Sequence, residues 1–252
     1  MHAAAAVAMP MPRRGLGAAF VPGPGVAGGT LGNVYAVGGS NGLGLRSGTP
    51  LDANEAFDVE MGVWVKKAPM LRPMMDVYST TYFPGTGRIY VIGGYNGIAE
   101  DRAVQIYDPG TDSWSPGASM PTPRSNLVSG ICGTRIYAIG GFDGVNLLSL
   151  NEAYDPFTNT WFAPQPPKPT AVAEISSQFI YTGTDIFAIA GVLPVKPPSA
   201  ATEVFTCGEP PPFCHSDADC DDGVFCNGRE TCLATTGACQ KGTPPICDDQ
   251  NA

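Results

Sequence analysis

Hydrophobic residues along this chain are concentrated in short apolar runs, each with an aromatic residue near its middle and small residues at its end. Three runs that end in a glycine pair occupy 33–39, 88–94 and 135–141, and a weaker copy occupies 185–191. An apolar run bounded by glycine predicts a strand that is covered on both faces. Because the runs recur about every 50 residues, the pattern predicts a series of small repeated sheets.

A second phrase follows each run and consists of Glu or Gln, an apolar residue and an aromatic residue. It occupies 55–57, 105–107, 152–154 and 203–205, and in the first three copies a tryptophan stands seven residues after the aromatic: Trp64, Trp114 and Trp161. Turn-forming residues lie between the two, which predicts a hairpin. We expect the aromatic and the tryptophan to face each other across that hairpin or to pack between neighbouring sheets.

The two phrases and the tryptophan resemble kelch repeats over residues 9–206. The resemblance implies four-stranded antiparallel blades in which the glycine pair closes the second strand. The predicted fold class is therefore all-β: a kelch-type β-propeller of about four blades, followed by a small disulfide-rich segment. The predicted propeller covers 1–206, with blades near 15–66, 77–115, 126–162 and 172–206, and a cysteine-rich acidic module covers 207–252.

The fourth predicted blade lacks a tryptophan and a fourth strand. Residues 9–14 resemble the segments that follow the last strand of other blades, so residues 3–8 are interpreted as a fourth strand that completes blade four and closes the ring. The alternative is a piece of a longer propeller. An open ring would leave a strand edge, and with it a route to self-association.

The segment 207–252 differs from the rest in composition. It has eight acidic residues against two basic ones, and it contains the cysteines predicted to form disulfides: Cys207, Cys214, Cys220, Cys226, Cys232, Cys239 and Cys247. It is similar to cysteine-rich repeats of secreted or surface bacterial proteins. This density predicts an oxidising, extracellular or cell-surface location. The start of the chain does not resemble a signal peptide, so we expect the true N-terminus to be missing. Cys132, in a predicted strand, is expected to be a buried thiol.

Several classes of function are disfavoured by what the sequence contains. Neither segment has the basic patch that nucleic acid requires, and no apolar stretch is long enough to span a bilayer. The two histidines, His2 and His215, lie outside the predicted blades, so the copper oxidase activity of some kelch-like propellers is not carried over. No metal or cofactor is predicted: the acidic residues at 217–222 do not match a calcium loop, and the cysteines lack paired zinc spacing.

The predicted loops between second and third strands, at 40–52, 95–102, 142–150 and 192–200, share one face with the links between blades. Loops on a rigid scaffold are where binding normally resides. An aromatic residue beside an amide or carboxylate recurs there and suits a partner, although Asn-Gly and Asp-Gly also form turns for purely structural reasons. The candidate binding residues in these loops are Asn41, Arg46, Tyr95, Asn96, Phe142, Asp143 and Asn146.

Basic residues recur in the links that follow each blade. Arg72, Arg124 and Arg14, with Lys168 nearby in the fourth repeat, are candidates for binding an acidic ligand. Alternatively they bond carboxylates within the fold, with Glu55, Glu152 and Glu203 as the partners. Together these features predict a non-catalytic module that binds a protein or a glycan through one propeller face. The alternatives are a sugar-active enzyme and a structural spacer in a larger surface protein.

Overall fold

The computed structural model describes residues 7–23, 31–42, 47–162, 164–173, 176–179, 185–193, 196–206, 231–233 and 238–240. Arg46, residues 3–6 and most of the cysteine-rich module therefore lie outside the described residues. The described segments form strands joined by turns and loops. Within them no helix is long and apolar enough to cross a membrane.

Three four-stranded antiparallel sheets follow one another along the chain, each with its strands in sequence order. We name them blades one to three. Blade one contains β1 (Gly17–Val21), β2 (Asn33–Val37), β3 (Asn54–Asp58) and β4 (Val63–Lys66). Blade two contains β5 (Thr80–Phe83), β6 (Arg88–Ile92), β7 (Val104–Asp108) and β8 (Ser113–Gly117). Blade three contains β9 (Val128–Cys132), β10 (Arg135–Ile139), β11 (Asn151–Asp155) and β12 (Thr160–Trp161).

A three-stranded sheet, blade four, follows with β13 (Ser176–Phe179), β14 (Asp185–Leu193) and β15 (Lys196–Thr206). A short hairpin, β16 (Thr231–Leu233) and β17 (Ala238–Gln240), pairs Cys232 with Cys239 as Cα partners.

The all-β fold class is confirmed. The predicted loop at 192–200 is wrong, because β14 and β15 fill most of it. Its prolines suggested a loop, but among the described strands β15 has one neighbour, and such a strand tolerates proline.

The core lies between the blades. The inner strands contact one another in the order β1, β5, β9 and β13, and each contact is filled by a cluster of buried apolar side chains. Aromatic rings bridge adjacent blades: the centroids of Tyr35 and Tyr107 are 5.5 Å apart, and those of Tyr90 and Tyr154 are 5.8 Å apart. The apolar runs are therefore covered on both faces because each sheet packs between two others.

Each tryptophan packs against the aromatic residue of the neighbouring strand in its own blade. In the ladders Phe57 pairs with Trp64, and Tyr107 and Tyr154 pair with Trp114 and Trp161, with ring centroids 5.0–5.3 Å apart. The predicted cross-hairpin contact is confirmed.

Each indole N–H also donates to a carbonyl that precedes its own blade. The acceptors are the Ala68 oxygen for Trp114 and the Ala118 oxygen for Trp161, both at 2.8 Å. Trp64 donates in the same way to Val7, at 3.1 Å. Val7 therefore has the position in front of blade one that Ala68 and Ala118 have in front of blades two and three.

The glycine pair is required by the close approach of the next blade. In blade two, Gly93 and Gly94 have φ values of 66° and 114°. A Cβ on Gly93 would lie 2.4 Å from the Arg124 carbonyl oxygen, and the Gly94 N–H donates to that same oxygen at 3.0 Å. Larger residues would disfavour the backbone conformation and push the neighbouring link away.

Cys132, the last residue of β9, is disulfide-bonded. The expectation of a buried thiol is therefore wrong. The sequence contained a signal for this, since seven cysteines after residue 206 cannot pair completely among themselves.

Candidate functional site: the loop face

The loops between second and third strands of neighbouring blades lie side by side. We call the surface formed by 40–42, 47–51, 95–101 and 142–148, with the links at 70–75 and 121–126, the loop face. A Cβ on Gly97 of blade two would lie 3.2 Å from the ring of Pro50 in blade one. A Cβ on Gly144 of blade three would lie 2.9 Å from the Glu100 carboxylate of blade two. The three loops therefore form one continuous surface.

The blade-two loop is built around the side chain of Asn96. Its Oδ1 accepts hydrogen bonds from the backbone N–H groups of Ile98 and Ala99, at 2.9 and 3.0 Å. Gly97 adopts a φ of 96°, a conformation that favours glycine. The turn places Ile98 at the tip, where 90% of the residue is exposed.

The blade-three loop repeats this construction with an aspartate. Asp143 Oδ1 accepts from the backbone N–H groups of Asn146 and Val145, at 2.6 and 2.8 Å. These bonds, first of all that from Asn146, lower the pKa of the Asp143 carboxyl and outweigh the effect of its burial. Val145 occupies the position of Ile98 and is 82% exposed.

The predicted candidates in the loops have mixed surroundings. Tyr95 and Phe142 are partly buried, and their backbones bridge to Met75 and Ser125. Asn96 and Asp143 act as turn formers, which is the structural alternative that the sequence offered. Asn41 is exposed and accepts from the Thr49 N–H, and Asn146 lies beside Asp143. Ligand contact by any of these residues stays a prediction.

Sequence reasoning missed Ile98 and Val145, although a signal was present. Each follows the Asn-Gly or Asp-Gly pair directly, so a β-branched apolar residue stands twice at the position where a turn points toward solvent. The aromatic residues earlier in the same loops were more conspicuous. Tyr95 and Phe142 are partly buried, whereas Ile98 and Val145 are exposed. The sequence alone does not show this difference in burial.

Arg124 does not lie at the surface. Its side chain is fully buried and donates to the carboxylate of Glu152, itself buried, and to the Ala138 carbonyl oxygen at 2.9 Å. Burial lowers the pKa of the guanidinium, and the Glu152 carboxylate opposes that shift. The structural alternative for this arginine is the one observed.

Arg13, rather than the predicted Arg14, is the counterpart of Arg124 in blade one. Arg13 is paired with Glu55, and its side chain is also fully buried. Arg14 instead forms the backbone bridge to Ser40 that Ser125 forms to Phe142. The prediction was wrong by one position because Arg13 and Arg14 are adjacent in the sequence.

The third predicted arginine, Arg72, does not occupy the position in its blade that Arg124 has in blade three. Met74, two residues after Arg72, is the counterpart of Arg124, and Arg72 is an exposed residue that lies 3.9 Å from Asp101. Gln105 stands where the other blades have glutamate, and its amide bonds the Arg72 backbone. Blade two therefore replaces the buried ion pair with Met and Gln.

In blade four the pair is Lys168 and Glu203, with 2.6 Å between Nζ and Oε2. Burial raises the pKa of the Glu203 carboxyl, but hydrogen bonds from Lys168 and Thr170 outweigh it, and the net pKa is lowered. The recurring basic residues of blades one, three and four therefore stabilise links between strands inside the fold.

Within the described part of the chain, no group of three or more His, Cys, Asp or Glu side chains could hold a metal ion. Both histidines, His2 and His215, fall outside the described ranges.

The comparison with known families agrees with the repeat pattern and the sheet geometry. The sequence model of the Kelch motif matches residues 26–71, 85–121 and 123–166, about half of the chain. The chain belongs to the kelch-repeat family.

Individual relatives match over shorter stretches. Kelch-like protein 36 of Bos taurus is 30% identical over 104 residues, which cover 40% of this chain and 16% of that protein. Kelch-like ECH-associated protein 1A of Danio rerio is 33% identical over 85 residues, which cover 32% of this chain and 14% of that protein. The chain thus matches less than a fifth of the length of these relatives.

The solved structure of YjhT is similar with a TM-score of 0.56 and 20% sequence identity, and the match covers 75% of this chain and 62% of that one. At this identity the likeness shows the fold alone. The resemblance of residues 207–252 to cysteine-rich bacterial repeats stays a prediction.

Proposed function

We propose that this chain is a protein-binding module and that its loop face holds the partner through Ile98 and Val145. The observation that carries the proposal is the matched exposure of these two apolar side chains, at equivalent tips of adjacent loops. Water disfavours such exposure, so apolar side chains held outward on a surface are typical of a site that a partner covers.

The construction of the loops supports the same proposal. The tips are held by hydrogen bonds that the backbone N–H groups of Ile98 and Val145 donate to the side-chain oxygens of Asn96 and Asp143, rather than left to sample many conformations. A rigid loop loses little conformational entropy when it binds, which favours affinity. Asn96 and Asn146, which lie close to the tips in the same loops, are exposed, and an apolar centre with a polar rim is the usual composition of a protein interface.

Membership of the kelch-repeat family supports a binding role over catalysis. The name of the Danio rerio relative describes that protein as associated with ECH. A glycan partner would instead stack on the rings of Tyr95 and Phe142, which are partly buried. No specific observation favours the sugar-active enzyme or the structural spacer over the binding module.

The test is affinity capture with the immobilised full chain, followed by measurement of the dissociation constant for the recovered partner by calorimetry. We expect the double variant Ile98→Ser, Val145→Ser to weaken binding at least about tenfold, since truncating two central apolar contacts removes roughly 1–2 kcal/mol or more. Met61→Ser is the matched control, because Met61 is 74% exposed in a turn on the opposite side of blade one.

Unchanged affinity in the double variant would contradict the assignment of these tips. A glycan array probed with the same proteins addresses the other ligand class. Saturable glycan binding that is lost in Phe142→Ala and kept in the Ile98, Val145 double variant would favour a glycan ligand over a protein.

A further inference from the structure

We propose that Asn96 is a site of spontaneous deamidation, at which the loop of blade two converts its own asparagine to aspartate. Asn96 and the residue after it, Gly97, are both exposed. A glycine in that position leaves its backbone nitrogen uncrowded, because glycine has no Cβ. A second Asn-Gly pair, Asn41-Gly42, lies in the loop of blade one. The two pairs have the same chemistry but different surroundings in the fold.

The Asn96 side chain is folded forward over the backbone of Gly97. Its Oδ1 accepts hydrogen bonds from the N–H groups of Ile98 and Ala99, at 2.9 and 3.0 Å. Its Nδ2 donates to Asp101 Oδ2 at 3.1 Å, which fixes the direction in which the amide faces. These bonds hold Cγ of Asn96 beside the Gly97 nitrogen that attacks it, and holding two reacting groups together removes much of the entropic part of the barrier.

The two N–H groups also lie where negative charge develops. When the Gly97 nitrogen bonds to Cγ of Asn96, the electron pair of the carbonyl moves to Oδ1, and two donors at this distance form an oxyanion hole. Water takes the proton of the attacking nitrogen and supplies the one with which Nδ2 leaves as ammonia, so that a succinimide ring remains. Addition of water to the ring gives an aspartyl or an isoaspartyl residue.

The Asn41-Gly42 pair is arranged differently. Asn41 Oδ1 accepts from the N–H of Thr49 at 3.1 Å, so the side chain reaches across the loop rather than along the chain. The Gly42 N–H, which would have to attack, donates to Ser40 Oγ at 3.2 Å. We therefore expect the same dipeptide to react more slowly in this loop.

Blade three contains the counterpart of the aspartyl product. Asp143 Oδ1 accepts two backbone N–H groups in the same turn, so an aspartate at position 96 can keep both hydrogen bonds. The bond from Nδ2 to Asp101 is replaced by two neighbouring carboxylates, which repel each other. The reaction therefore adds a negative charge to the loop face, close to the Ile98 tip.

The test compares the two Asn-Gly pairs in one sample. The full chain is incubated in mildly alkaline buffer, either native or reduced and unfolded in urea, and is then digested with trypsin under mildly acidic conditions. Cleavage after Arg88 and Arg102 releases 89–102, in which Asn96 is the single asparagine. Mass spectrometry measures the conversion of amide to acid in this peptide, and fragmentation of 15–46 measures it at Asn41.

In the native chain we expect Asn96 to convert several-fold faster than Asn41, with comparable rates at the two positions in the unfolded chain. Equal native rates, or a slower rate at Asn96, would overturn the proposal. A difference that persists on unfolding would also overturn it, because the neighbouring sequence rather than the turn would then cause it.

The variant Asp143→Asn gives an independent readout. It introduces an asparagine before Gly144 in a turn with the same two donors, and conversion restores the original residue. Chymotryptic cleavage after Phe142 gives access to this position. We expect it to convert several-fold faster than Asn41 in the folded chain. Conversion no faster than at Asn41 would contradict the role given to the two N–H donors.

Discussion

Arg124 and Glu152 form a buried ion pair, and another blade of the same chain has uncharged residues at the two corresponding positions. Blade two has Met74 and Gln105 at the corresponding positions and folds around them with Met74 fully buried. Desolvation largely cancels the attraction within such a pair, whereas an unpaired buried charge is strongly destabilising. The blades therefore vary two residues together, and the pair works as a unit.

Arg124→Met alone should lower the free energy of unfolding by about 3–5 kcal/mol, because Glu152 is left buried without its partner. The double variant Arg124→Met, Glu152→Gln should recover most of that loss, since it reproduces the arrangement of blade two. Urea unfolding of the wild type, both single variants and the double variant measures the coupling.

Additive losses in that cycle would contradict a coupled pair and would mean that each side chain contributes through separate contacts. The recovery should also be specific to a neutral partner: Arg124→Met combined with Glu152→Asp keeps a buried carboxylate and should remain destabilised.

For single residues, the sequence showed which ones recur from blade to blade, but not whether they bind a ligand or pair within the fold. The repetition of Arg124 and Glu152 was visible, and so was the choice between ligand binding and internal pairing. Burial decides that choice, and burial depends on how the blades pack. Arg13 was missed because the adjacent Arg14 matches the recurring basic position equally well in the sequence.

At the scale of the element, strands were predictable because two-sided packing requires long apolar runs and leaves a clear pattern. The aromatic–tryptophan spacing likewise fixed the third hairpin of each blade. The pattern failed at 192–200, where prolines in β15 resemble a loop. It also failed at Ile98 and Val145, because a single apolar residue after a turn carries no periodic signal.

The glycine pair at the end of β6 allows a test of close packing against backbone strain. Gly87 and Gly93 flank β6 and have the same φ of 66°, but a Cβ on Gly87 would meet no atom within 4 Å, while one on Gly93 would lie 2.4 Å from a backbone oxygen. Gly87→Ala should therefore cost only the conformational strain, about 1–2 kcal/mol. Gly93→Ala should cost clearly more, because the link that contains Arg124 must also move.

Thermal or urea unfolding of the two variants measures the difference. Equal destabilisation would show that the neighbouring link yields freely, and that glycine at 93 serves the backbone conformation alone.

At the scale of the whole molecule, each blade depends on its neighbours. Apolar clusters cover blade two on both of its faces, toward blade one and toward blade three. Blade one presents Gly17, Ala19 and Val21 of β1 to blade two. Phe20, on the alternate face of that strand, is half exposed. In repeat architectures stability is approximately a sum over repeats and the interfaces between them. The two blades should therefore differ in local stability although their sheets are alike.

Hydrogen exchange followed by mass spectrometry measures this difference. Strands β2 and β6 are each the second strand of a four-stranded sheet and are paired on both edges, so their ladder hydrogen bonds are comparable. We expect the amides of β6 to exchange more slowly than those of β2, because, among the described residues, opening β6 disrupts two interfaces between blades and opening β2 disrupts one. Peptides that cover 33–37 and 88–92 give the comparison within a single sample. Equal protection would mean that the sheet, rather than the contact between sheets, sets the local stability of this propeller.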